Sequence, residues 1–446
     1  MSFPELPDPV TWTQGQTVTG SWLRADPGNL AWLLTKRPLF LGEQASTGQS
    51  IPGSTVEPVK MDTEIIDNWN GHVIPDAAYA VQLPGWYLCE GTAFISGGGT
   101  SWWYGAGIQS TANSVTRGLL GNILCTNGTD VAGPSVSDLV QLNPATGDTV
   151  ELFAYQSSGD PLDLALAPGA FLSVQWAGMP TSLPGYTGPV GQVVTSPQPA
   201  AAWPPGSGTL LTGSGVAAGG SVVTVASTTG MVAGGSLGFD YYLGQPVTPA
   251  AETVTIAGIS GGTVTTSPAA YPHGGAATPG YVAVPVSAAF MNQQVRDIIS
   301  FLAYPPMARL SSYDSTQGIP SNSPAFPGGT PVTFKSATLD NFSGWNGTSE
   351  WVVPVSGVYY VYGQVALAAS ITNLSAGIGV SGGTIGWGDS VRSQTSLVAC
   401  ATVRKHLRLT AGQYLQLFAS QSSGSTVDLL AGSNAYSTLV AVWRGF

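Results

Sequence analysis

The stretch Gly147-Asp-Thr-Val-Glu-Leu-Phe-Ala-Tyr-Gln-Ser-Ser-Gly159 decides the fold, because it returns near the end of the chain as Gly412-Gln-Tyr-Leu-Gln-Leu-Phe-Ala-Ser-Gln-Ser-Ser-Gly424. In both copies a glycine-led turn precedes residues that alternate with a period of two, and a second turn follows them. This pattern is typical of a β-strand between tight turns. The alternation is partly apolar on both faces, as expected for a sandwich strand that also packs against a neighbouring subunit.

Three further pairs of segments recur around this strand in the same order. The pairs are Asp67-Asn-Trp-Asn-Gly71 with Asp340-Asn-Phe-Ser-Gly344, Pro84-Gly-Trp-Tyr-Leu88 with Ser356-Gly-Val-Tyr-Tyr360, and Leu172-Ser-Val-Gln-Trp-Ala-Gly178 with Leu439-Val-Ala-Val-Trp-Arg-Gly445. The separation between partners is nearly constant along the chain. The sequence therefore predicts two tandem copies of one module.

A short helix is predicted ahead of each copy. Ahead of the second copy, Ser287 is a candidate N-cap and Pro305 ends the segment. Its apolar residues fall near a period of 3.6 and are candidates for the contact between three subunits: Phe290, Val295, Ile298, Ile299 and Leu302. Ahead of the first copy, the helix is predicted between Asp26 and Pro38.

These signals divide the chain into seven parts. They are an N-terminal anchoring segment with a short helix (1–54), a first β-domain (55–180), a linker rich in Pro, Gly and Ser (181–220), a small β-module (221–286), a helix (287–306), a second linker (307–331) and a second β-domain (332–446).

The composition favours an all-β protein whose surface is largely buried in an assembly. Of the 446 residues, 43% are hydrophobic but only 8% are charged, and Gly (59) and Pro (33) are abundant. Many short strands joined by tight turns have this composition. The net charge is −11, and the densest basic run, Arg404–Arg408, is short, so nucleic-acid binding is not expected.

Cysteine usage and the apolar runs give no sign of disulfides, secretion or a membrane span. Cys89, Cys125 and Cys400 are odd in number and widely spaced, so buried free thiols are predicted. The first residues lack a basic region followed by an apolar one, and no apolar run reaches the roughly 18 residues of a membrane span. We therefore expect a protein made and left in a cytoplasm.

Each copy resembles the jelly roll of the complement globular-head and tumour-necrosis-factor superfamily. The resemblance rests on the Asp-Asn-x-x-Gly segments, on the Gly-x-Tyr strands 83–88 and 353–362, on the strands after Gly147 and Gly412, and on closing strands that carry Trp176 and Trp443. The second copy departs from it at Gln413, where the family usually has an acidic residue. The resemblance implies two tandem antiparallel jelly-roll sandwiches and a homotrimer.

The middle of the chain is similar to tail proteins of phages that infect actinobacteria. The similarity lies in Glu252-Thr-Val-Thr-Ile256, in His273-Gly-Gly-Ala276, and above all in the Asn-x-x-Val-Arg-Asp helix before Pro305-Pro306. It implies a minor tail protein or another structural protein of the virion.

No catalytic constellation emerges from the sequence, and neither an enzyme, a cofactor nor a metal site is predicted. The three histidines lack the spacing of a metal pair or a nucleophile–base pair: His72, His273 and His406. The acidic cluster of the first copy is interpreted as a solvated strand and turn: Asp62, Glu64, Asp67 and Asp76. Whether any such loop binds calcium is left open.

One aromatic group is a candidate glycan-binding site. The Gly-rich segment 97–104 ends in Trp102, Trp103 and Tyr104, and we aligned it with segment 382–387, which ends in Trp387. Aromatic rings on loops stack well on sugar rings. The alternative is that these rings fill the sandwich or a trimer interface.

The predicted function is that of a homotrimeric virion protein that binds other tail proteins through its N-terminal region. That region carries Trp12, Trp22, Trp32 and Phe40, which a partner should cover. The second jelly roll is then expected to face the host and its surface glycans. A capsid-surface fibre or decoration protein is the nearest alternative, and a secreted lectin or a carbohydrate-active enzyme are weaker ones.

Overall fold

The computed structural model describes most of both predicted β-domains and parts of the segment between them. The described residues are 37–46, 48–74, 76–96, 102–110, 115–117, 123–125, 134–165, 169–180, 208–210, 216–226, 228, 231, 233–234, 236–239, 252–272, 281–283, 297–312, 317–321, 329–368, 371–383, 386–393, 399–431 and 437–445.

The first β-domain contains fourteen described strands, all paired antiparallel. They are β1 (Leu39–Glu43), β2 (Ser50–Ile51), β3 (Val56–Pro58), β4 (Thr63–Asp67), β5 (Ala78–Ala80), β6 (Gly85–Thr92), β7 (Ile95–Ser96), β8 (Trp102–Ser110), β9 (Val115–Arg117), β10 (Ile123–Cys125), β11 (Ser135–Leu142), β12 (Thr149–Gln156), β13 (Leu162–Leu164) and β14 (Phe171–Gly178). A five-stranded sheet in the order β11-β6-β14-β1-β4 packs on a sheet built around β10-β8-β12-β3.

The segment between the β-domains forms a separate compact unit with its own core. Its described strands are β15 (Gly208–Leu210), β16 (Val222–Thr224), β17 (Ser236–Phe239), β18 (Glu252–Ser260), β19 (Thr263–Thr266) and β20 (Tyr281–Ala283). They form one sheet in the order β15-β20-β17-β18-β19-β16. Its core is built from Val223, Leu237 and Val264, which are fully buried, and their neighbours. Helix α1 (Asp297–Ala303) follows.

The second β-domain repeats the first. Its strands are β21 (Met307–Ser311), β22 (Gly318–Ile319), β23 (Thr330–Pro331), β24 (Ser336–Asp340), β25 (Trp351–Val352), β26 (Gly357–Leu367), β27 (Ile371–Val380), β28 (Gly386–Ser393), β29 (Ala399–Leu409), β30 (Tyr414–Gln421), β31 (Val427–Asp428) and β32 (Thr438–Gly445). The five-stranded sheet runs β24-β21-β32-β26-β29, and the facing sheet runs β23-β30-β27-β28.

The two strand orders are the same once equivalent strands are matched. The order β11-β6-β14-β1-β4 becomes β29-β26-β32-β21-β24, and β8-β12-β3 becomes β27-β30-β23. The predicted all-β fold of two tandem jelly-roll sandwiches is confirmed. Both domains begin earlier than predicted, at Leu39 and Met307, because their first strands precede the Gly/Ser/Pro-rich stretches that we had interpreted as boundaries.

The Asp-Asn segments close the same turn in both copies. The carboxylate of Asp67 accepts hydrogen bonds from the backbone amides of Trp69 and His72, at 3.2 and 2.9 Å. Asp340 accepts from the amides of Gly344 and Trp345, at 3.0 and 2.8 Å. These carboxylates therefore stabilise a turn that begins directly after β4 and β24.

The Gly-x-Tyr segments form a corner that needs glycine. A Cβ atom on Gly85 would lie 2.2 Å from the indole nitrogen of Trp176, and one on Gly357 would lie 2.3 Å from that of Trp443. Two residues later, the Tyr87 hydroxyl donates to the carbonyl of Leu83 at 2.8 Å. The recurrence of Gly, Tyr and Trp thus reflects one packing arrangement that is used twice.

The two jelly rolls belong to one compact unit and share a buried apolar cluster. The first jelly roll contributes Trp86, Leu88, Leu139 and Ala177, and the second contributes Met307, Leu339, Tyr360, Tyr362, Val440 and Val442. These residues lie on the outer faces of the two five-stranded sheets. Each sheet is therefore covered on both faces over part of its area.

Polar groups cross the same interface. Arg309 on β21 donates to both carboxylate oxygens of Asp138 on β11, through Nε at 2.7 Å and Nη2 at 3.1 Å, and both side chains are buried. The Tyr360 hydroxyl donates to Glu90 at 2.5 Å, and Arg444 hydrogen-bonds Gln175. A buried, bidentate ion pair requires a defined orientation of its partners, so these contacts fix how the jelly rolls meet.

Candidate functional site

Two aromatic side chains flank a glycine on the sheet β23-β30-β27-β28 of the second jelly roll. Trp387 on β28 pairs with Gly377 on β27, and Gly377 pairs in turn with Phe418 on β30. Gly377 is buried, whereas both rings are partly exposed. The three residues thus form a cross-strand row, which we call the outer aromatic row.

Neighbouring glycines let the rings of this row lie close to the sheet. A Cβ atom on Gly329 would lie 2.6 Å from Cη2 of Trp387, and one on Gly379 would lie 2.5 Å from Cε2 of Phe418. Any larger residue at either glycine would push a ring away from the sheet. The result is a flat, partly exposed aromatic surface that lies close to the sheet. Such surfaces stack on the apolar faces of sugar rings.

The remaining residues of the predicted glycan site lie elsewhere. Trp102, Trp103 and Tyr104 begin strand β8 instead of lying on a loop, and their side chains and the Gly-rich segment before them lie outside the described part. Tyr104 pairs with Gln156, and the equivalent Gln421 pairs with Leu374. Our alignment of segment 97–104 with segment 382–387 was therefore wrong, because Trp387 lies one strand later than the equivalent of β8.

The sequence contained a signal for the outer aromatic row that we missed. Phe153 and Phe418 occupy the same place in the repeated strand, and each pairs with a buried glycine, Gly107 or Gly377. Retention of Phe at the same alternating position in both copies could have marked this surface. In the first jelly roll the neighbouring Glu151 is partly desolvated, which raises the pKa of its carboxyl group.

The predicted trimer helix is described only over its second half. Phe290 and Val295 lie outside the described residues, as does the side chain of Ile298. Ile299 is fully buried within one chain, so it offers no free surface to another subunit. Leu302 is partly exposed, and its carbonyl accepts a hydrogen bond from Arg37 at 3.3 Å.

The acidic cluster holds His72 in place. Glu64 Oε1 lies 2.9 Å from Nδ1 of the buried His72, and the Asp76 carbonyl lies 2.9 Å from its Nε2. Asp62 accepts hydrogen bonds from the backbone amides of Ala45 and Ser46. These contacts give the cluster a structural role in the first jelly roll.

The other chemistry-bearing side chains are placed as follows. His406 is exposed on β29 with its ring 5.3 Å from that of Tyr360, whereas His273 lies outside the described part. Cys89 and Cys400 are buried free thiols. Among the residues described, no three His, Cys, Asp or Glu side chains could jointly hold a metal ion.

A helix able to cross a lipid bilayer is likewise absent from the described part of the chain.

Comparison with known proteins yields likeness in structure alone. No protein-family model and no curated protein matches the sequence. The globular domain of the zebrafish complement 1qA protein matches with 19% identity over 32% of this chain and 97% of its own, at a TM-score of 0.24. Murine APRIL in its pH 8.0 crystal structure matches with 15% identity over 31% of this chain and 98% of its own, also at 0.24.

Proposed function

We propose that the protein is a structural component of a phage virion, a homotrimeric minor tail protein that contributes to attachment to host cell-wall glycans. The observation that carries the attachment role is the outer aromatic row. Trp387 and Phe418 are partly exposed on either side of the buried Gly377, on the face of the second jelly roll that points away from its core. The tail assignment rests on the resemblance of segment 252–306 to tail proteins of actinobacteria-infecting phages.

Attachment through such a surface would be weak at each subunit. A stacked aromatic ring contributes about 1 kcal/mol, which alone gives little affinity. Several subunits on one particle would bind the same polymer together, and this avidity multiplies the effect of each contact. A surface of low charge also suits an uncharged glycan better than a charged ligand.

The first experiment locates the protein. Intact particles are imaged with an antibody raised against the purified chain. Labelling of the tail is expected. Labelling of the capsid would favour a capsid-surface fibre or decoration protein instead, and unlabelled particles would overturn the virion assignment.

The second experiment tests attachment directly. Trp387→Ala and Phe418→Ala are introduced separately. We expect particles that incorporate the chain normally but adsorb at least about tenfold more weakly, since loss of about 1 kcal/mol is repeated in every subunit. The matched control is Tyr271→Ala, which removes an exposed aromatic side chain from the compact unit between the two jelly rolls. Adsorption is measured as the rate at which free particles disappear from a suspension of host cells.

Point variants are preferable to deletion of the second jelly roll. Removal of residues 332–446 would expose Trp86, Leu88 and Leu139 of the first jelly roll, which the second one covers. Failure to incorporate would then report misfolding. Unchanged adsorption of both point variants, with normal incorporation, would overturn the proposed attachment surface.

A further inference from the structure

The first jelly roll carries its own row of outward side chains on the strand that repeats. On β12, Glu151, Phe153 and Tyr155 are partly exposed and alternate with fully buried residues. Successive members therefore point to the same side of the sheet, about 7 Å apart along the strand. We call these three residues the β12 row.

Small or apolar residues flank the two rings of the β12 row on both neighbouring strands. Gly107 on β8 pairs with Phe153. Gly105 on the same strand pairs with Tyr155. On the other side, Val56 of β3 pairs with Tyr155 and is 53% exposed. Because glycine has no side chain, the paired residues of β8 leave the rings uncovered, and the exposed valine widens the apolar surface next to them.

A carboxylate without a partner lies at one end of the β12 row. Within the described part of the chain, no hydrogen bond or ion pair engages the side chain of Glu151. Burial raises the pKa of its carboxyl group, because partial removal from water disfavours the charged form. A cation beside the carboxylate would stabilise the charged form. The row therefore combines two stacking surfaces with an acid that the described protein groups do not neutralise.

The equivalent strand of the second jelly roll differs at the positions that would select a ligand. Gln416 takes the place of Glu151, so that a neutral amide replaces the carboxylate. The buried Ser420 takes the place of Tyr155, and the second ring there, Trp387, comes from β28 instead. The phenylalanine common to both copies is thus combined with an uncharged group in one copy and with an acid in the other.

We propose that the β12 row is a second glycan-binding site and that it selects sugars carrying a protonated amine. The apolar face of the sugar stacks on Phe153 and Tyr155, and the amine lies beside the carboxylate of Glu151. The faces of aromatic rings attract cations as well. The net charge of −11 draws a positively charged glycan toward the protein. The site is separate from the outer aromatic row, so the inference goes beyond the proposed attachment surface and does not depend on it.

The test is binding of two soluble oligosaccharides to the purified full-length chain, measured by titration calorimetry. One is a glucosamine oligomer, and the other is its N-acetylated counterpart. Wild type should bind the amine-bearing oligomer about tenfold more tightly, which is the effect of one charge-assisted hydrogen bond. Glu151→Gln should abolish this preference and leave binding of the acetylated oligomer unchanged. Phe153→Ala should weaken binding of the amine-bearing oligomer about fivefold through lost stacking.

The matched control is Glu57→Gln, which makes the same change of charge on the neighbouring strand β3. Glu57 pairs with the fully buried Ala154, so it lies on the opposite side of the sheet from the β12 row. This variant should keep the preference for the amine. Equal losses in Glu57→Gln and Glu151→Gln would mean that net charge alone attracts the oligomer, and would overturn the proposal.

Two further measurements separate this site from folding and from the outer aromatic row. Glu151→Gln should keep the thermal midpoint of wild type, because the second jelly roll carries the same amide at this position. Trp387→Ala should keep the full preference for the amine, whatever it does to adsorption of particles. Equal affinity of wild type for the two oligomers, or loss of the preference in Trp387→Ala but not in Glu151→Gln, would overturn the proposed site.

Discussion

At the scale of single residues, the repeated motifs are explained by a few contacts, each of which requires one particular type of residue. Asp67 and Asp340 close turns, and Gly85 and Gly357 make room for tryptophan rings. Short motifs of this kind are visible in the sequence because all their partners lie nearby or recur with them. The pair of Asp138 with Arg309 could not be predicted, since its members are 171 residues apart and have no equivalent pair in the other copy.

Because the Cys400 thiol is buried, the free energy of unfolding should fall as the pH rises above about 9. Desolvation raises the pKa of Cys400 above its ordinary value of 9.0 to about 12. The unfolded thiol ionises first as pH rises, so the stabilisation is fully present below about pH 9 and is lost progressively between about pH 9 and 12. Between pH 8 and 10, wild type should lose about 1.4 kcal/mol more unfolding free energy than Cys400→Ala. Chemical denaturation at the two pH values measures this difference, and equal losses in both proteins would contradict it.

At the scale of elements, the strands were predictable and some of their connections were not. The period-two strand 149–156 and its repeat 414–421 are β12 and β30, as predicted. The alignment of Trp102 with Trp387 failed because glycine-rich segments resemble each other wherever they occur, and only the pairing to Gln156 and Gln421 fixes the register. The repeat marks Phe418, but the other members of the outer aromatic row, Gly377 and Trp387, join it only through pairing between strands, which no local pattern reveals.

The Gln-Ser-Ser-Gly turn is a second element whose function can be tested. Gln421 donates through Nε2 to the carbonyls of Ile319 at 2.9 Å and Ser425 at 2.7 Å, and its Oε1 accepts from the amide of Ser423 at 2.6 Å. Gln421→Leu should lower the unfolding free energy by about 2–4 kcal/mol, since it leaves buried backbone groups without partners.

Gln416→Leu on the same strand is the control, because its contacts to Ser349 and Glu350 are long, at 3.3 and 3.5 Å. Hydrogen exchange of β22 and β31 should speed up in Gln421→Leu alone. A loss of stability no larger than that of the control would argue against the assigned role of the turn.

At the scale of the whole molecule, the sequence predicted two jelly rolls but not their mutual packing. An interface between domains depends on which surfaces face each other, and the repeat signals only that the domains are alike. The structure joins them through an apolar cluster and through the buried pair of Arg309 and Asp138. We therefore expect the two jelly rolls to unfold together.

Asp138→Asn should uncouple them. The change leaves the buried guanidinium of Arg309 without its charged partner, and breaking such a pair costs about 3–5 kcal/mol. Calorimetry should show the jelly rolls unfolding in one transition in wild type and in two in the variant. Asp163→Asn, at an exposed carboxylate of the same jelly roll, is the control and should keep one transition.

The double variant Asp138→Asn with Arg309→Met removes both charges and should restore part of the lost stability. No restoration would mean that the ion pair is not what couples the domains.

The contact between the two jelly rolls of one chain also affects how this protein can evolve. In an assembly of identical single modules, one substitution enters every junction at once and must suit both partners of each. Fusion of two modules in tandem removes that restriction. A change at Arg309 on β21 alters one junction, while Leu41, at the equivalent position of β1, stays as it was. Acidic and basic residues could then settle at equivalent positions, as Asp138 and Lys405 have done. Duplication thus permits opposite charges at a position that identical modules would have to share.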